Sequence, residues 1–496
     1  MAQSDFRITL SGGGVKKYPA KLHARNVARH LGVSEGLIFL PGQHMLYIED
    51  SDMFYPFRQR KQFYYMSGVN ELDCYMTYDI EKDHSILYIP PVTLETKVWF
   101  GKGFTVEEAR ERYDFDTVIL STCMREFFHH WFRHNIQKKV YILHKDQSLH
   151  GIIDSSIQPN YDTSSLLPAL ETSRIIKDHD EITAIRHAIK ISSIAHRTIL
   201  HHITTLKSEA EVHAFYLDVC IAHGTQLQAY PPIVGSGSNA SVLHYFDNND
   251  SLKGKSLVCM DAGAEWECYA SDITRTFPLA ANGWPSKETA EIYALVEEMQ
   301  ERCIAMLGPG VRYVDAFFLA NRIATEGLMS LGIFKGEDVE EVLESQVIRT
   351  MFPHGLGHHL GLDVHDVRSI NIFEHNSRGR RVNDEDFRMQ HAPCTKEAAL
   401  LEPGMVVTVE PGIYFNEFAL KGYLEDSHFA KYIDEEVLDR YMHVGGVRIE
   451  DDILITKDGY ENLTLAPKGK EMLDIIRDGA RCKHGEECKN RGTSIG

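Results

Sequence analysis

The sequence predicts an α/β amino-terminal domain followed by a larger α+β domain, and three observations support this. The chain has 496 residues, whereas a single hydrophobic core stops growing at about 250 to 300 residues. Short apolar runs alternate with helical patterns up to about Ile153, and longer helical patterns dominate the second half. The polar stretch DSSIQPNYDTSS separates the two halves. We therefore place the domain boundary between Pro159 and Ile176.

The amino-terminal domain, predicted over residues 1–165, contains short apolar runs bounded by turn residues. Their lengths are typical of β-strands. The segments VEEARERY and MREFFHHWFRHNI lie among them and carry helical patterns. Strands interleaved with helices predict an α/β domain. The runs interpreted as strands are GLIFLPG, QFYYMSG, CYMTYDI, SILYIPP, TVILS and KVYILH.

The second domain, predicted over residues 166–475, combines long helices with strands that we expect to be antiparallel. ETAEIYALVEEMQERCIAML has the length and pattern of a helix, whereas MVVTVEPGIYF and GVRIEDDILIT are typical of strands. The polar excursion at residues 375–399 has mixed charges that predict a solvated loop. Residues 476–496 predict a flexible tail. Cys482, His484 and Cys488 form a candidate metal site there, but no second ligand pair follows them.

Charge and cysteine content limit the class of function and the compartment. Lys and Arg total 52 and Asp and Glu total 71, which gives a net charge of −19. This balance argues against a nucleic-acid partner and suits a substrate with a positive amino terminus, as well as simple solubility. Nine scattered cysteines favour a reducing compartment. The sequence shows no signal peptide and no run of about 18 apolar residues, so we expect a cytoplasmic protein without a membrane partner.

Two aspartates in the segment CMDAGAEWECYASDITRTFP indicate a metal site. A hairpin that turns at Trp266 and Glu267 would place Asp261 directly opposite Asp272. Opposed side chains in an antiparallel pair have Cβ atoms about 5 Å apart, and like charges at that distance destabilise the sheet. A divalent cation would compensate for the two carboxylates.

Three further motifs carry groups that bind metals or protons. MFPHGLGHHLGLDVHDV places histidines between glycines, VVTVEPGIYF places a glutamate after an apolar run, and GGVRIEDDILI places two acids and an arginine on one strand face. A buried carboxylate is costly unless it is paired or metal-bound. Four carboxylates in one pocket would force protonation, so two divalent cations are predicted, with neutralisation by arginine and lysines as the alternative. The residues concerned are His354, His358, His359, His365, Glu410, Arg448, Glu450 and Asp452.

Together these motifs resemble the dinuclear metallopeptidases of the pita-bread fold, in the Xaa-Pro aminopeptidase and Xaa-Pro dipeptidase (prolidase) branch. DAGAEWECYASDITRTFP, PHGLGHHLGLDVHD, TVEPGIY and GVRIEDD occur in the family's order, and the likeness covers about residues 174–467. It implies a pita-bread (creatinase/aminopeptidase) catalytic domain and a creatinase-like amino-terminal domain. The metal ligands that it implies are Asp261, Asp272, His358, Glu410 and Glu450.

The resemblance also implies roles for these residues. Asp272 and Glu450 would bridge two ions, Asp261 would bind one of them, and His358 with Glu410 the other. A hydroxide bridging the two ions would attack the Xaa-Pro bond. Glu410 would carry the proton to the leaving nitrogen, His365 would stabilise the oxyanion, and His354 and His244 would position the peptide. Arg448 would orient a ligand carboxylate. Manganese is the implied metal, although cobalt and zinc suit the same ligands.

Alternatives stay open within and beyond this resemblance. A dipeptidase must recognise the carboxylate beside proline, and some use an arginine fourteen residues before the glutamate that corresponds to Glu410. Lys396 holds that position here, and a lysine lacks the bidentate geometry of arginine, so we prefer an aminopeptidase to a prolidase. Methionine aminopeptidases lack the amino-terminal domain. A non-catalytic binding module is disfavoured because all five ligand positions are intact. A homodimer is expected.

Overall fold

A computed structural model of the chain describes residues 17–101, 103–367 and 400–483, with side chains through residue 481. The chain forms two compact units, Met1–Ile175 and Ile176–Gly496. The helix at Leu166–Ile175 belongs to the first unit, whereas the sequence-based division at residue 165 places it in the second. It packs against the first helix of that unit.

The first unit alternates helices and strands, as its α/β pattern predicts. Its helices are α1 (Ala20–Leu31), α2 (Lys61–Ser67), α3 (Leu94–Phe100), α4 (Val106–Arg112), α5 (Met124–Asn135) and α6 (Leu166–Ile175). Its strands are β1 (Leu37–Pro41), β2 (Tyr75–Asp79), β3 (His84–Ile89), β4 (Thr117–Leu120), β5 (Lys139–Tyr141) and β6 (Asn160–Asp162).

These six strands form one mixed sheet in the order β4-β3-β2-β1-β5-β6. The pairs β1–β2 and β2–β3 are antiparallel and the other three are parallel. Phe128 and Trp131 of α5 pack against Phe39 and Tyr88 of the sheet and form its core. The predicted strands are confirmed except for QFYYMSG, which forms α2. Phe63–Ser67 are all buried, so the segment shows neither the amphipathic period of a helix nor the alternation of a strand.

The second unit contains longer helices and short strands. Its helices are α7 (His179–His202), α8 (Glu209–Ala222), α9 (Lys287–Met306), α10 (Tyr313–Ser330), α11 (Val339–Glu344), α12 (Glu417–Glu425), α13 (Ser427–Ala430), α14 (Glu435–Tyr441) and α15 (Gly469–Lys483). Its strands are β7 (Ile233–Ser236), β8 (Leu257–Asp261), β9 (Glu265–Trp266), β10 (Tyr269–Ala270), β11 (Thr274–Pro278), β12 (Val406–Val409), β13 (Gly412–Tyr414), β14 (Gly446–Arg448), β15 (Asp451–Thr456) and β16 (Gly459–Asn462).

The strands of this unit form small sheets with the orders β11-β8-β7, β12-β15-β16, β10-β9 and β13-β14. Every strand pair described here is antiparallel, which confirms the expected pairing. Buried Arg275 holds two of these sheets together, since its guanidinium pairs with Asp451 at 2.6 Å and donates to the Ala466 carbonyl at 2.7 Å. Arg275 therefore links the sheet that contains Asp261 to the sheet that begins directly after Glu450.

The hairpin predicted in CMDAGAEWECYASDITRTFP forms, but its register differs from the prediction. Asp261 of β8 pairs with Thr274 of β11, and not with Asp272. The prediction of directly opposed aspartates is therefore wrong by two residues. A shift of two residues keeps the same sheet face, so both aspartates still point to one side of the hairpin.

The turn explains the altered register. Glu267 and Cys268 form the two-residue loop between β9 and β10, with φ of 47° and 65°. Such left-handed values are usually supplied by glycine or asparagine, so the sequence gives no signal for this turn. Gly263 lies between the two ladders, and a Cβ there would meet the Ser271 carbonyl oxygen at 1.8 Å.

The end of the chain and the polar excursion complete the comparison with the sequence. α15 extends beyond residue 475 to Lys483, and Ile476 is buried, so the start of the predicted tail is helical. The predictions on residues 375–399, including Lys396, and on Cys482, His484 and Cys488 fall outside the described side chains. Within the described residues, none of the helices combines the length and apolar character that a membrane span requires.

Candidate metal centre

A cavity of about 400 Å³ in the second unit brings the predicted site residues together. Apolar side chains, including Ile233, Leu243 and Phe246, form part of its wall. The polar groups lie on segments that are far apart in the sequence. The nine residues to which the family resemblance assigns a role all line this cavity, whereas His359 and Asp452 do not. The nine are His244, Asp261, Asp272, His354, His358, His365, Glu410, Arg448 and Glu450.

Asp261 and Asp272 are linked by a tyrosine that the sequence analysis did not identify. The Tyr230 hydroxyl lies 2.5 Å from Asp261 Oδ1 and 2.6 Å from Asp272 Oδ1. A phenol has one proton to donate, so the two carboxylates share it. The backbone amide of Asp272 donates to Asp452 Oδ2 at 3.1 Å. These contacts fix both aspartates on the cavity floor.

Glu410 and Glu450 lie where two strand ladders are interrupted. Glu410 follows β12, and its amide donates to the Leu356 carbonyl at 2.8 Å. Glu450 precedes β15, and its amide donates to the Thr274 carbonyl at 3.0 Å. The motif GVRIEDDILIT predicts a continuous strand through Glu450, whereas the structure interrupts the strand at Ile449 and Glu450. Each glutamate therefore bonds to a neighbouring segment and turns its side chain to the cavity.

The histidine-rich segment pairs with β12 and carries His358 into the centre. The Thr408 amide donates to the His358 carbonyl at 2.9 Å, and the His358 amide donates to Thr408 Oγ1 at 3.1 Å. A Cβ on Gly357 would meet the Thr408 carbonyl oxygen at 2.3 Å, so only glycine allows this approach. His358 Nε2 then lies 3.2 Å from Glu410 Oε1 and 3.4 Å from Asp272 Oδ2.

The electrostatics of this cluster call for positive charge. Burial raises the pKa of Asp272 to about 6 and that of Glu450 well above its usual range. Burial acts in the same direction on Glu410, but the hydrogen bond with His358 lowers its pKa to about 2. Burial would lower the pKa of His358, yet Asp272 and Glu410 raise it well above its ordinary value. The imidazole alone cannot balance these carboxylates.

The side chains fit a divalent cation. Asp272, His358 and Glu450 each offer a ligand atom within 4.8 Å of the other two. Glu450 Oε1 is buried and has no hydrogen-bond partner in the described structure, and such a buried orphan costs about 1 to 3 kcal/mol. A cation would satisfy it. Carboxylate oxygens with one imidazole nitrogen suit manganese, cobalt and zinc.

The buried guanidinium of Arg448 donates hydrogen bonds to three side chains beside the metal centre. Its guanidinium donates to Asp261 Oδ2 at 2.7 Å, to the Tyr414 hydroxyl at 2.9 Å and to Thr274 Oγ1 at 3.1 Å. Thr274 in turn donates to Glu450 Oε2 at 2.7 Å. The sequence motifs contain both Thr274 and Tyr414 but predict no role for either residue. One arginine therefore orients groups around two predicted ligands.

The remaining histidines line the cavity on different segments. His354 Nε2 lies 2.8 Å from the Tyr414 hydroxyl. The ring of His365 meets that of His358 edge-on, with centroids 4.4 Å apart. His244 stacks on Phe246 on a separate loop. The cavity thus has carboxylates on its floor and imidazoles around its walls.

Comparisons with known proteins agree with this geometry. Residues 183–457 match the family described as metallopeptidase family M24, and residues 23–141 match the aminopeptidase P N-terminal domain. A probable Xaa-Pro aminopeptidase from Aspergillus clavatus is 50% identical over 485 residues, which cover 96% of each chain. A probable Xaa-Pro aminopeptidase from Aspergillus fumigatus is 50% identical over 483 residues, again 96% of each chain.

Solved structures that resemble this chain are also aminopeptidases. A variant of Escherichia coli aminopeptidase P in complex with substrate matches with a TM-score of 0.76 and 28% identity, over 94% of this chain and 100% of that chain. Pseudomonas aeruginosa aminopeptidase PepP matches with a TM-score of 0.74 and 28% identity, over 94% of this chain and 99% of that chain.

The fold and the cluster of carboxylates and histidines define a metallopeptidase. The chain belongs to metallopeptidase family M24 and carries the aminopeptidase P N-terminal domain, so the family predicted from the sequence motifs is confirmed.

Proposed function

We propose that this chain is a Xaa-Pro aminopeptidase, which releases the amino-terminal residue from peptides with proline in the second position. The observation that carries the proposal is the convergence of Asp261, Asp272, His358, Glu410 and Glu450 on one cavity floor. Relatives that match 96% of the chain bear the name Xaa-Pro aminopeptidase. We expect cleavage after the first residue, with proline in the second position, because relatives in this family bear that name.

The five floor residues would hold two divalent cations. Asp272 lies between Asp261, with which it shares Tyr230, and His358. This central position supports a bridging role for Asp272. We propose the same role for Glu450, whose unpartnered Oε1 is available to a cation. When bound, the cations would supply Lewis acidity and a water molecule of lowered pKa.

Glu410 would move the proton during peptide-bond cleavage. Its side chain is 18% exposed and reaches the cavity, and its carboxylate is ionised near neutral pH because the hydrogen bond with His358 lowers its pKa. A general base must lie within hydrogen-bonding reach of the proton that it removes, so the attacking water would bind beside Glu410 on the cavity floor. The proton would pass from water to Glu410 and then to the proline nitrogen.

The imidazoles and the apolar wall would bind the peptide. His365 is exposed to the cavity beside His358, and it would donate to the oxyanion that develops on the scissile carbonyl. His354 and His244 line the approach to the floor and would position the peptide. Ile233 and Leu243 offer apolar surface for a proline ring.

Manganese is the metal that we propose, because four carboxylates and one imidazole form an oxygen-rich ligand set. Escherichia coli aminopeptidase P has been described in a zinc-substituted form in complex with product. A cytoplasmic location and a homodimer also remain predictions. Five of the described cysteines, Cys74, Cys123, Cys220, Cys259 and Cys303, form no disulfide, which supports a reducing compartment.

The proposal is tested by two parallel assays on the purified protein. A dipeptide Xaa-Pro and a tripeptide Xaa-Pro-Xaa are each offered to the enzyme, and release of the first residue is measured. An aminopeptidase cleaves the tripeptide at least as efficiently as the dipeptide. Cleavage of the dipeptide alone would make the chain a prolidase, which the names of its relatives do not favour. Asp272→Asn is the control, and it should lose both activities together with bound metal.

A further inference from the structure

Glu209 lies outside the metal centre. Its buried carboxylate accepts hydrogen bonds from the loop that bears His244. It is the first residue of α8 and is 0% exposed. Sequence reasoning gave it no role, because an acid at a helix start is an ordinary feature. Glu209 differs from an ordinary helix-start acid because both of its carboxylate oxygens accept hydrogen bonds from the same loop. We call residues 237–249 the His244 loop.

The two oxygens of Glu209 reach opposite ends of this loop. Oε1 accepts from the Ser236 amide at 2.8 Å, the Ser236 hydroxyl at 2.7 Å and Asn239 Nδ2 at 3.1 Å. Oε2 accepts from the Tyr245 hydroxyl and the Asp250 amide, each at 2.9 Å. One side chain therefore ties the end of β7 to the residues that follow His244.

The tip of the loop is the part that faces the cavity. Leu243, His244 and Phe246 line it, and Phe246 is 52% exposed. Val242, His244 and Phe246 are exposed, so the position of the tip depends on the residues that anchor the loop on either side. Asn416 Nδ2 contributes on one side by donating to the Ser241 carbonyl at 3.2 Å. Asn248 secures one end, since its Oδ1 accepts from the Val234 amide at 2.7 Å and its Nδ2 donates to the Pro232 carbonyl at 2.8 Å.

The charge of Glu209 suits this task. Burial would raise its pKa, but hydrogen bonds from Ser236 and Asn239 and the Asp250 amide lower it. The amino terminus of α8 also favours a negative group. Glu209 is therefore ionised, and hydrogen bonds to a charged acceptor are shorter and stronger than those between neutral groups.

We propose that Glu209 is a positioning residue, which holds the His244 loop closed and thereby fixes His244 against the bound peptide. This inference rests on the role proposed above for His244. Glu209 touches neither the metal ligands nor the substrate in this scheme. It acts through the loop, so its loss should weaken peptide cleavage and leave the metal centre intact.

The central variant is Glu209→Gln, and Glu211→Gln is its matched control. Glutamine keeps the volume, but its amide nitrogen cannot accept the hydrogen bonds made at one end of the loop. Glu211 is exposed in the same first turn of α8, so its variant also removes a negative charge from the helix start. We expect Glu209→Gln to lower kcat/KM by about 10-fold to 100-fold, with bound metal unchanged, and Glu211→Gln to change it by less than about 2-fold.

A double-mutant cycle with His244→Ala separates positioning from general stabilisation. If Glu209 acts through His244, Glu209→Gln should cost less than about 3-fold in the His244→Ala background. Equal losses in both backgrounds would overturn the proposal. A near-normal His244→Ala enzyme would overturn the role of His244 itself, and with it the catalytic part of this inference.

Hydrogen exchange tests the closure of the loop independently of activity. Residues 237–249 should exchange faster in Glu209→Gln than in Glu211→Gln, while β8 and β11 exchange at the same rate in both. Unchanged exchange in this loop would overturn the proposal. Tyr245→Phe removes a single contact of Glu209, so it should give a smaller effect in the same direction even if Glu209→Gln folds poorly.

Discussion

Glu410 and Glu450 lie directly opposite each other across the gap between two antiparallel ladders. The same register runs on both sides of the gap, in the pairs Val409 with Asp451 and Gly412 with Arg448. Like charges directly opposite each other destabilise a sheet. The opposed acids predicted at Asp261 and Asp272 therefore occur between a different pair of segments, where a cation would offset the repulsion.

Glu410→Gln should lower kcat far more than it changes KM. The amide keeps the shape of the side chain but cannot accept the proton, and general acid–base groups typically contribute about 100-fold to 10,000-fold. Steady-state kinetics on Xaa-Pro-Xaa peptides measures both constants. Glu402→Gln, at an exposed position on the same segment, should behave as wild type. A variant with altered KM and normal kcat would place the base elsewhere.

Tyr230→Phe should weaken cation binding, because it removes the hydroxyl shared by Asp261 and Asp272. Losing a group that orients metal ligands typically costs about 10-fold to 100-fold in affinity or activity. Competition with a chelator measures the affinity directly. Tyr293→Phe is the control, since the Tyr293 hydroxyl accepts from the Gly469 amide instead. Equal affinities in the two variants would show that Tyr230 does not support the ligands.

Arg448→Lys should reduce activity, because lysine cannot make the contacts of the arginine. Lysine retains the charge, but it lacks the planar fork that reaches Asp261, Tyr414 and Thr274 at once. We expect activity to fall by about 10-fold to 100-fold. Arg448→Met should be worse, because removing one partner of a buried ion pair costs about 3 to 5 kcal/mol of unfolding free energy. Denaturant unfolding of both variants measures this difference, and equal stability would contradict it.

Removal of metal should abolish activity without unfolding the protein. The second unit has its own apolar core, so its fold does not depend on the cations as a small metal-stabilised domain does. Chelator treatment followed by circular dichroism and an activity assay tests both points. Manganese should restore activity better than magnesium. Full activity in metal-free protein would refute the proposed mechanism.

His196 should make the protein less stable at acid pH. Burial lowers its pKa from 6.5 in its ordinary state to about 3 in the fold. Below pH 6.5 the unfolded chain therefore binds a proton that the folded chain does not, so stability falls as pH falls from 6.5 towards 3, by about 1.4 kcal/mol per pH unit. Denaturant midpoints between pH 7 and pH 4, at about one-unit steps, should show a shallower decline for His196→Gln than for the exposed control His443→Gln. Parallel declines would contradict this assignment.

The sequence predicted the parts of the site that carry their own local signal. The motifs around His358 and Glu410 combine ligand-type residues with glycine or proline at fixed spacing, so they could be recognised without a structure. Tyr230 has no such pattern around it. Its role comes from a contact with Asp261 and Asp272 across the fold, which no single segment encodes.

The errors in the fold prediction have definite physical causes. Periodicity reports burial on one face, so α2 was misinterpreted because both of its faces are buried. The register of the aspartate hairpin depends on left-handed backbone at Glu267 and Cys268. Glutamate and cysteine rarely adopt that conformation, so the sequence does not predict it. The division after Ile175 lies within the predicted interval from Pro159 to Ile176, and its place after α6 depends on packing between α6 and α1.

The interrupted ladders have a consequence for protein synthesis. The Asp272 amide bonds to Asp452, 180 residues away, and Arg275 reaches Pro467 at a separation of 192 residues. A nascent chain that has not yet reached Glu450 therefore has no complete cavity floor. Contacts between such distant segments also form late, because the entropy of loop closure must be overcome first. We therefore expect a growing polypeptide to gain activity only after Glu450 has left the ribosome.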